Sequence, residues 1–122
     1  MERAYPILRI DDYDMAKRYY VEFLGFEIEF EWRHAADSPV YMGVTRGGLA
    51  LHLSEHLGEP AGRLGAALFQ VDKVLDFFEE LKGKKSDMTE APVDQAWGFT
   101  ELRLLDPFEN KLTFTSPTPG QA

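Results

Sequence analysis

Cysteine is absent from the chain, which excludes disulfides, thiolate nucleophiles and sulfur-ligated zinc or iron sites together. Basic residues are scarce: 13 lysines and arginines stand against 21 acidic residues, a formal charge of −8. That balance disfavours a nucleic-acid partner, whose phosphates reward clustered lysine and arginine, and leans towards cationic ligands. Long apolar runs are missing too. The opening MERAYPILRIDDYD has no stretch long enough for a signal-peptide core or a membrane span, so the expectation is a cytoplasmic protein without a membrane partner. Neither a glycine-rich phosphate fingerprint nor a nucleophile-elbow serine occurs. What is present is 44% hydrophobic and 13% aromatic residues in 122, enough to bury the core of a single domain.

The hydrophobic pattern divides this chain into recognisable pieces. Pro6 to Ile10 reads as a short strand leading to Asp11 and Asp12, both good N-caps for a helix from about Tyr13 to Leu24, with Gly25 placed for a left-handed C-cap. FEIEFEW alternates, Phe26, Ile28, Phe30 and Trp32 on one side and Glu27, Glu29 and Glu31 on the other, as a half-buried strand does. VYMGVTRGGLALHL is a hairpin turning at Arg46-Gly47-Gly48, and Glu55 to Gly65 is a polar connector. Then the order repeats. Ala66 to Val71 is a strand, Asp72 an N-cap, and a second helix ends at Lys82-Gly83; a loop with a weak strand candidate near Met88 leads to the hairpin ELRLLDPFENKLTFT. The helix ends match in aromatic pair, apolar position and closing glycine, which indicates an internal duplication.

The segments LRIDDYDMAKRYYVEFLGF and WGFTELRLLDPFENKLTF, with the duplicated strand and helix between them, resemble the vicinal oxygen chelate superfamily, and within it the bleomycin-resistance-like and glyoxalase-like small proteins. The resemblance implies an α+β fold of two βαβββ modules, about 1–57 and about 65–117 of a single domain 1–122, forming a curled mixed sheet with helices on its convex face. It also implies a homodimer with ligand clefts on the concave face. Strand alternation gives the two faces their composition. Leu8, Ile10, Leu49, Leu51, Leu53, Ala67, Phe69, Val71, Leu102, Leu104, Leu112 and Phe114 make an apolar side, whereas Tyr5, Ile7, Arg9, His52, Gln70, Glu101, Arg103 and Thr113 fall on a mixed, polar one.

Metal-dependent members of the superfamily place histidine or carboxylate ligands on four cleft-facing strands, and the matching positions here are Tyr5, His52, Ala66 and Thr113. Among these, His52 alone is a competent ligand, so no metal and no other cofactor is expected. His52 and His56 are four apart in HLSEH, but on a strand that spacing separates them by roughly 13 Å. The resemblance then implies a non-catalytic binder that sequesters a flat, cationic small molecule, such as a bleomycin-type antibiotic, in a dimer cleft. Phe30 and Trp97 match cleft aromatics of the family; Trp32, His52 and Glu101 complete the candidate ligand-binding set. The competing reading of Phe30 and Trp32 is that they complete the core. Two other functions stay open: a glyoxalase- or dioxygenase-like enzyme with an unorthodox metal site or metal-free acid-base chemistry through His52 and Glu101, and an interaction module using Glu27, Glu29 and Glu31.

Overall fold

The computed structural model describes residues 2–56, 65–85, 88 and 90–120. They fall into two compact units, Met1–Gly65 with Asp106–Asn110, and Ala66–Leu105 with Lys111–Ala122. Each holds one four-stranded mixed sheet and one helix, the α+β class expected from the sequence. Residues 57–64 of the expected connector lie outside the described residues.

In the first unit, strand β1 (Ile7–Arg9) runs parallel to β4 (Leu49–Ser54), which pairs antiparallel with β3 (Val40–Arg46) and so with β2 (Glu27–Arg33). Helix α1 begins at Tyr13–Ala16, capped by the Asp12 carboxylate, which accepts the Met15 N–H. It then widens into π-helical turns over Lys17–Phe23, where the Leu24 N–H reaches back five residues to the Tyr19 carbonyl. Gly25, at φ 82°, ends it in the left-handed conformation that glycine adopts without strain. Ala16, Tyr20 and Leu24 of the helix are buried with Leu8, Ile10, Leu51 and Leu53. The expected apolar side is therefore the core here.

The strict alternation expected of FEIEFEW is overturned. Ile28 pairs with Val44 and Phe30 with Gly43, so Glu29 is an extra residue in a β-bulge. One inserted residue reverses every side chain beyond it. Phe30 and Trp32 thus leave the core side, while Glu31 arrives opposite buried Met42 and accepts the Tyr13 hydroxyl of α1. Glu27, Glu29 and Glu31 do not share a face, which removes the acidic surface that an interaction module would have used.

In the second unit β5 (Ala66–Gln70) runs parallel to β8 (Lys111–Pro117), followed by β7 (Phe99–Leu105) and the short β6 (Val93–Asp94). The strand candidate near Met88 is displaced to β6. Helix α2 (Val74–Lys84) runs through Gly83 and stops at Lys85, one residue pair later than expected. Its N-cap is Lys73, not Asp72, and the capping bond comes from elsewhere in the chain: the Ser116 hydroxyl accepts the Val74 N–H at 2.9 Å. Phe77 packs on Phe114, ring centroids 4.5 Å apart, and Phe69 stacks on Phe114 at 5.2 Å. Ala67, Leu102, Leu104 and Leu112 are buried around them, as the alternation requires. Glu101, from the polar side, is buried as well, and so is Thr115 opposite it on β8.

The turn Asp106–Asn110 belongs to the first unit. One carboxylate organises it. Asp106 Oδ1 accepts the N–H groups of Phe108 and Asn110, Oδ2 accepts the Asn110 amide, and the buried Tyr20 hydroxyl donates to the same oxygen. Asn110 continues outward, donating to the Arg9 carbonyl and accepting the Gly65 N–H. Burial, then the Asp106 charge, pushes the Tyr20 phenol far above its ordinary value.

Candidate ligand-binding site

The face of the first sheet opposite its core carries a cluster of rings. His52 stands on β4 with Gly43 beside it on β3 and Ile7 on β1. Tyr5 stacks on the imidazole at 4.7 Å between centroids, and Phe30 and Tyr41 meet it edge-on, each at 5.3 Å. The Tyr41 hydroxyl and His52 Nδ1 share a hydrogen bond of 2.8 Å. Desolvation lowers the His52 pKa from its ordinary 6.5, with Glu29 acting more weakly in the opposite sense, so at neutral pH the ring is uncharged.

Gly43 lets Phe30 lie down. A Cβ built there would meet Phe30 ring carbons Cδ1 at 2.9 Å and Cζ at 3.1 Å, so any side chain at 43 would lift the ring off the sheet. Trp32, opposite Tyr41, extends the aromatic surface and stacks on His56 at 6.3 Å, with His34 edge-on to it. Tyr5, Phe30 and Trp32 remain 38%, 37% and 53% exposed. Rings of that size left on a sheet face, rather than folded inward, form an apolar surface that a ligand can cover. The core reading of Phe30 and Trp32 is thereby excluded. Sequence reasoning missed Tyr41 and Gly43, although a glycine inside VYMGVTR signals close approach of a neighbouring group.

The other two candidates lie in the second unit. Trp97 sits 63% exposed in the turn between β6 and β7, where Gly98 takes φ 92°. Glu101, by contrast, is 8% exposed on β7 and holds the Arg103 guanidinium at 3.1 Å. The five candidates therefore divide, Phe30, Trp32 and His52 in the first unit and Trp97 and Glu101 in the second.

A model of the glyoxalase superfamily matches residues 1–121. The chain belongs to the glyoxalase superfamily. Solved structures similar to this family member include a bleomycin resistance determinant encoded on the transposon Tn5, 27% identical, with TM-score 0.75 over 96% of this chain and 98% of that one. A bleomycin-binding protein complexed with bleomycin is 28% identical, with TM-score 0.71 over 95% and 98%. The bleomycin-binding protein of bleomycin-producing Streptomyces verticillus, complexed with copper(II)-bleomycin, is 25% identical, with TM-score 0.68 over 99% and 98%. A search of the curated proteins found no match.

The metal chemistry of such folds needs donors that these strands do not supply. In the first unit Tyr5 presents its ring face to His52, whose Nδ1 is engaged by Tyr41. At the corresponding places of the second unit stand Ala66, which has no donor, and Thr113, whose neutral hydroxyl is a poor ligand. Among the described residues no three His, Asp or Glu side chains converge. Tyr5, His52, Ala66 and Thr113 do not fit a divalent ion.

Proposed function

We propose that this protein binds a flat, cationic small molecule and sequesters it without transforming it. The observation that carries this reading is the ring surface of the first sheet, Tyr5, Phe30 and Trp32 grouped around neutral His52 and turned away from the core. Planar conjugated ligands stack on such rings, and cationic ones gain further from their π-faces and from the net charge of −8. The bleomycin resistance determinant, at 27% identity, and the bleomycin-binding protein, at 28%, support an antibiotic of that type as the ligand. The second unit has, by itself, an exposed indole at Trp97 and a shielded carboxylate at Glu101.

The protein acts as a cytoplasmic homodimer in this reading. Membership of the superfamily supports the dimer, as does the place of β1 and β2 at the ends of their sheet. No helix among the described residues is long and apolar enough to cross a membrane. Sedimentation equilibrium should return twice 13.9 kDa, and a monomer at micromolar concentration would contradict the assembly.

Titration of tryptophan fluorescence with bleomycin tests the function. Saturable binding is expected, with Trp97→Ala weakening it by about 1 to 3 kcal/mol and Glu101→Gln by less. Absence of saturable binding by a folded dimer would refute the reading.

A further inference from the structure

The second sheet carries a small cavity of about 220 Å³ lined by Glu90, Ala91, Val93, Gln95, Glu101 and Arg103. That volume falls below the range of a drug-sized site and suits one side-chain-sized group. Its floor is Glu101, a side chain 9% exposed. Glu101 and Arg103 are two apart on β7, so they share a face and their side chains meet. The two partners are held very differently. Glu101 is fixed by burial, whereas the Arg103 side chain is 66% exposed and reaches the carboxylate from solvent. Among the described residues, Glu101 is the side-chain partner of Arg103.

An ion pair with one exposed, flexible member is weak and exchangeable. The carboxylate beneath it is held in place by burial and stays available to another cation. Two carboxylates, Glu90 and Glu101, and one guanidinium line the space, which leaves it one negative charge. Val93 lies opposite Glu101 across β6 and β7 and is 57% exposed, an apolar wall beside the carboxylate. Gln95 has its backbone fixed by the Phe99 carbonyl and the Gly98 N–H, leaving its side chain on the cavity.

We propose that this cavity is a subsite for an alkylguanidinium or alkylammonium arm, which takes the place of the Arg103 guanidinium on Glu101. The methylene stem lies along Val93 and Ala91, and the cationic head occupies the carboxylate that Arg103 vacates. Arg103 is thus an internal competitor, closing the subsite when no ligand arm is present. This assignment rests on the reading of the protein as a binder of cationic small molecules, and it names the charged group that the second unit's cavity takes.

The test uses n-butylguanidinium as the probe and n-butylurea as its uncharged isostere, measured by calorimetry and thermal shift on the full chain. Removing the competitor, with Arg103→Ala or Arg103→Gln, should tighten n-butylguanidinium binding about two- to fivefold, the factor set by losing an exposed ion pair. The melting temperature of either variant should rise more with the probe than that of the parent protein. Glu101→Gln should abolish binding, and n-butylurea should not bind. Equal or weaker binding after loss of Arg103, retained binding in Glu101→Gln, or binding of n-butylurea would each overturn the proposal. If Glu101→Gln does not fold, the Arg103 variants and the urea decide alone. The readout also separates the two claims: bleomycin binding with no n-butylguanidinium binding removes the subsite, and the reverse removes the aromatic platform.

Discussion

The two sheets have the same strand order, a parallel outer pair followed by antiparallel neighbours, and the same register around their cores. Leu8 opposite Leu53 in the first matches Phe69 opposite Phe114 in the second, and all four are buried. Counting outward from those pairs, His52 matches Thr113, Gly43 matches Arg103, Tyr41 matches Glu101 and Trp32 matches Val93. The first sheet therefore carries rings around a glycine where the second carries an ion pair. Core positions are constrained by burial in both copies, so they share their apolar character. The opposite faces are free to diverge, one towards stacking and the other towards charge.

The largest expected effect concerns a segment that crosses the duplication. The turn between β7 and β8 belongs to the first unit through Asp106, so Asp106→Ala should strip that unit of a buried network and cost about 3 to 5 kcal/mol in urea unfolding. A loss below about 1 kcal/mol would show that the turn contributes little beyond an ordinary hairpin tip. Tyr20→Phe should remove the alkaline part of the stability profile. Its folded value is raised, so its contribution is complete below the ordinary 10.0 and is lost as pH climbs beyond that.

Substitution at the matched pair Gly43 and Arg103 sharpens the comparison itself. Gly43→Val should cost about 1 to 3 kcal/mol of stability by forcing Phe30 from the sheet, and should weaken a planar ligand at the same time. Arg103→Val, at the equivalent place, should stay within about 0.5 kcal/mol, since its side chain is largely exposed. Similar losses at both would mean that Phe30 is not seated on Gly43.

The smallest effect is the pH response of His52. Its pKa is lowered in the folded protein, so the stability it contributes is present above 6.5 and falls away as pH drops below that value. The same protonation puts a positive charge among the rings and should weaken a cationic ligand in acid. His52→Gln should flatten both curves between neutral pH and about pH 5. An unchanged acid limb would place the titrating group elsewhere.

Much of the scaffold was legible in the sequence because it rests on short-range rules. Asp12 caps α1, Gly25 ends it, and period-two alternation found the buried Leu51, Leu53, Leu102 and Leu104. What escaped depends on partners distant in sequence. Ser116 caps α2 from 42 residues away, so no local pattern could have displaced Asp72. The bulge at Glu29 has no marker in FEIEFEW, where an uninterrupted strand satisfies the same pattern; its cause is the register against β3. That one extra residue decides whether Phe30 and Trp32 are core or site. Of the candidate site, the ring types were readable, but Tyr41 and Gly43 emerged only once β3 lay beside β4.

The central claim is that the ring face of the first sheet receives the planar part of a ligand. The chain has 2 tryptophans, one in each unit, so indole N–H signals in a nitrogen-resolved NMR spectrum report on the two sheets separately. On titration with bleomycin the Trp32 signal should move and saturate together with the His52 imidazole resonances. A Trp32 signal unmoved at saturating bleomycin, with the protein folded and the Trp97 signal shifted, would contradict the account.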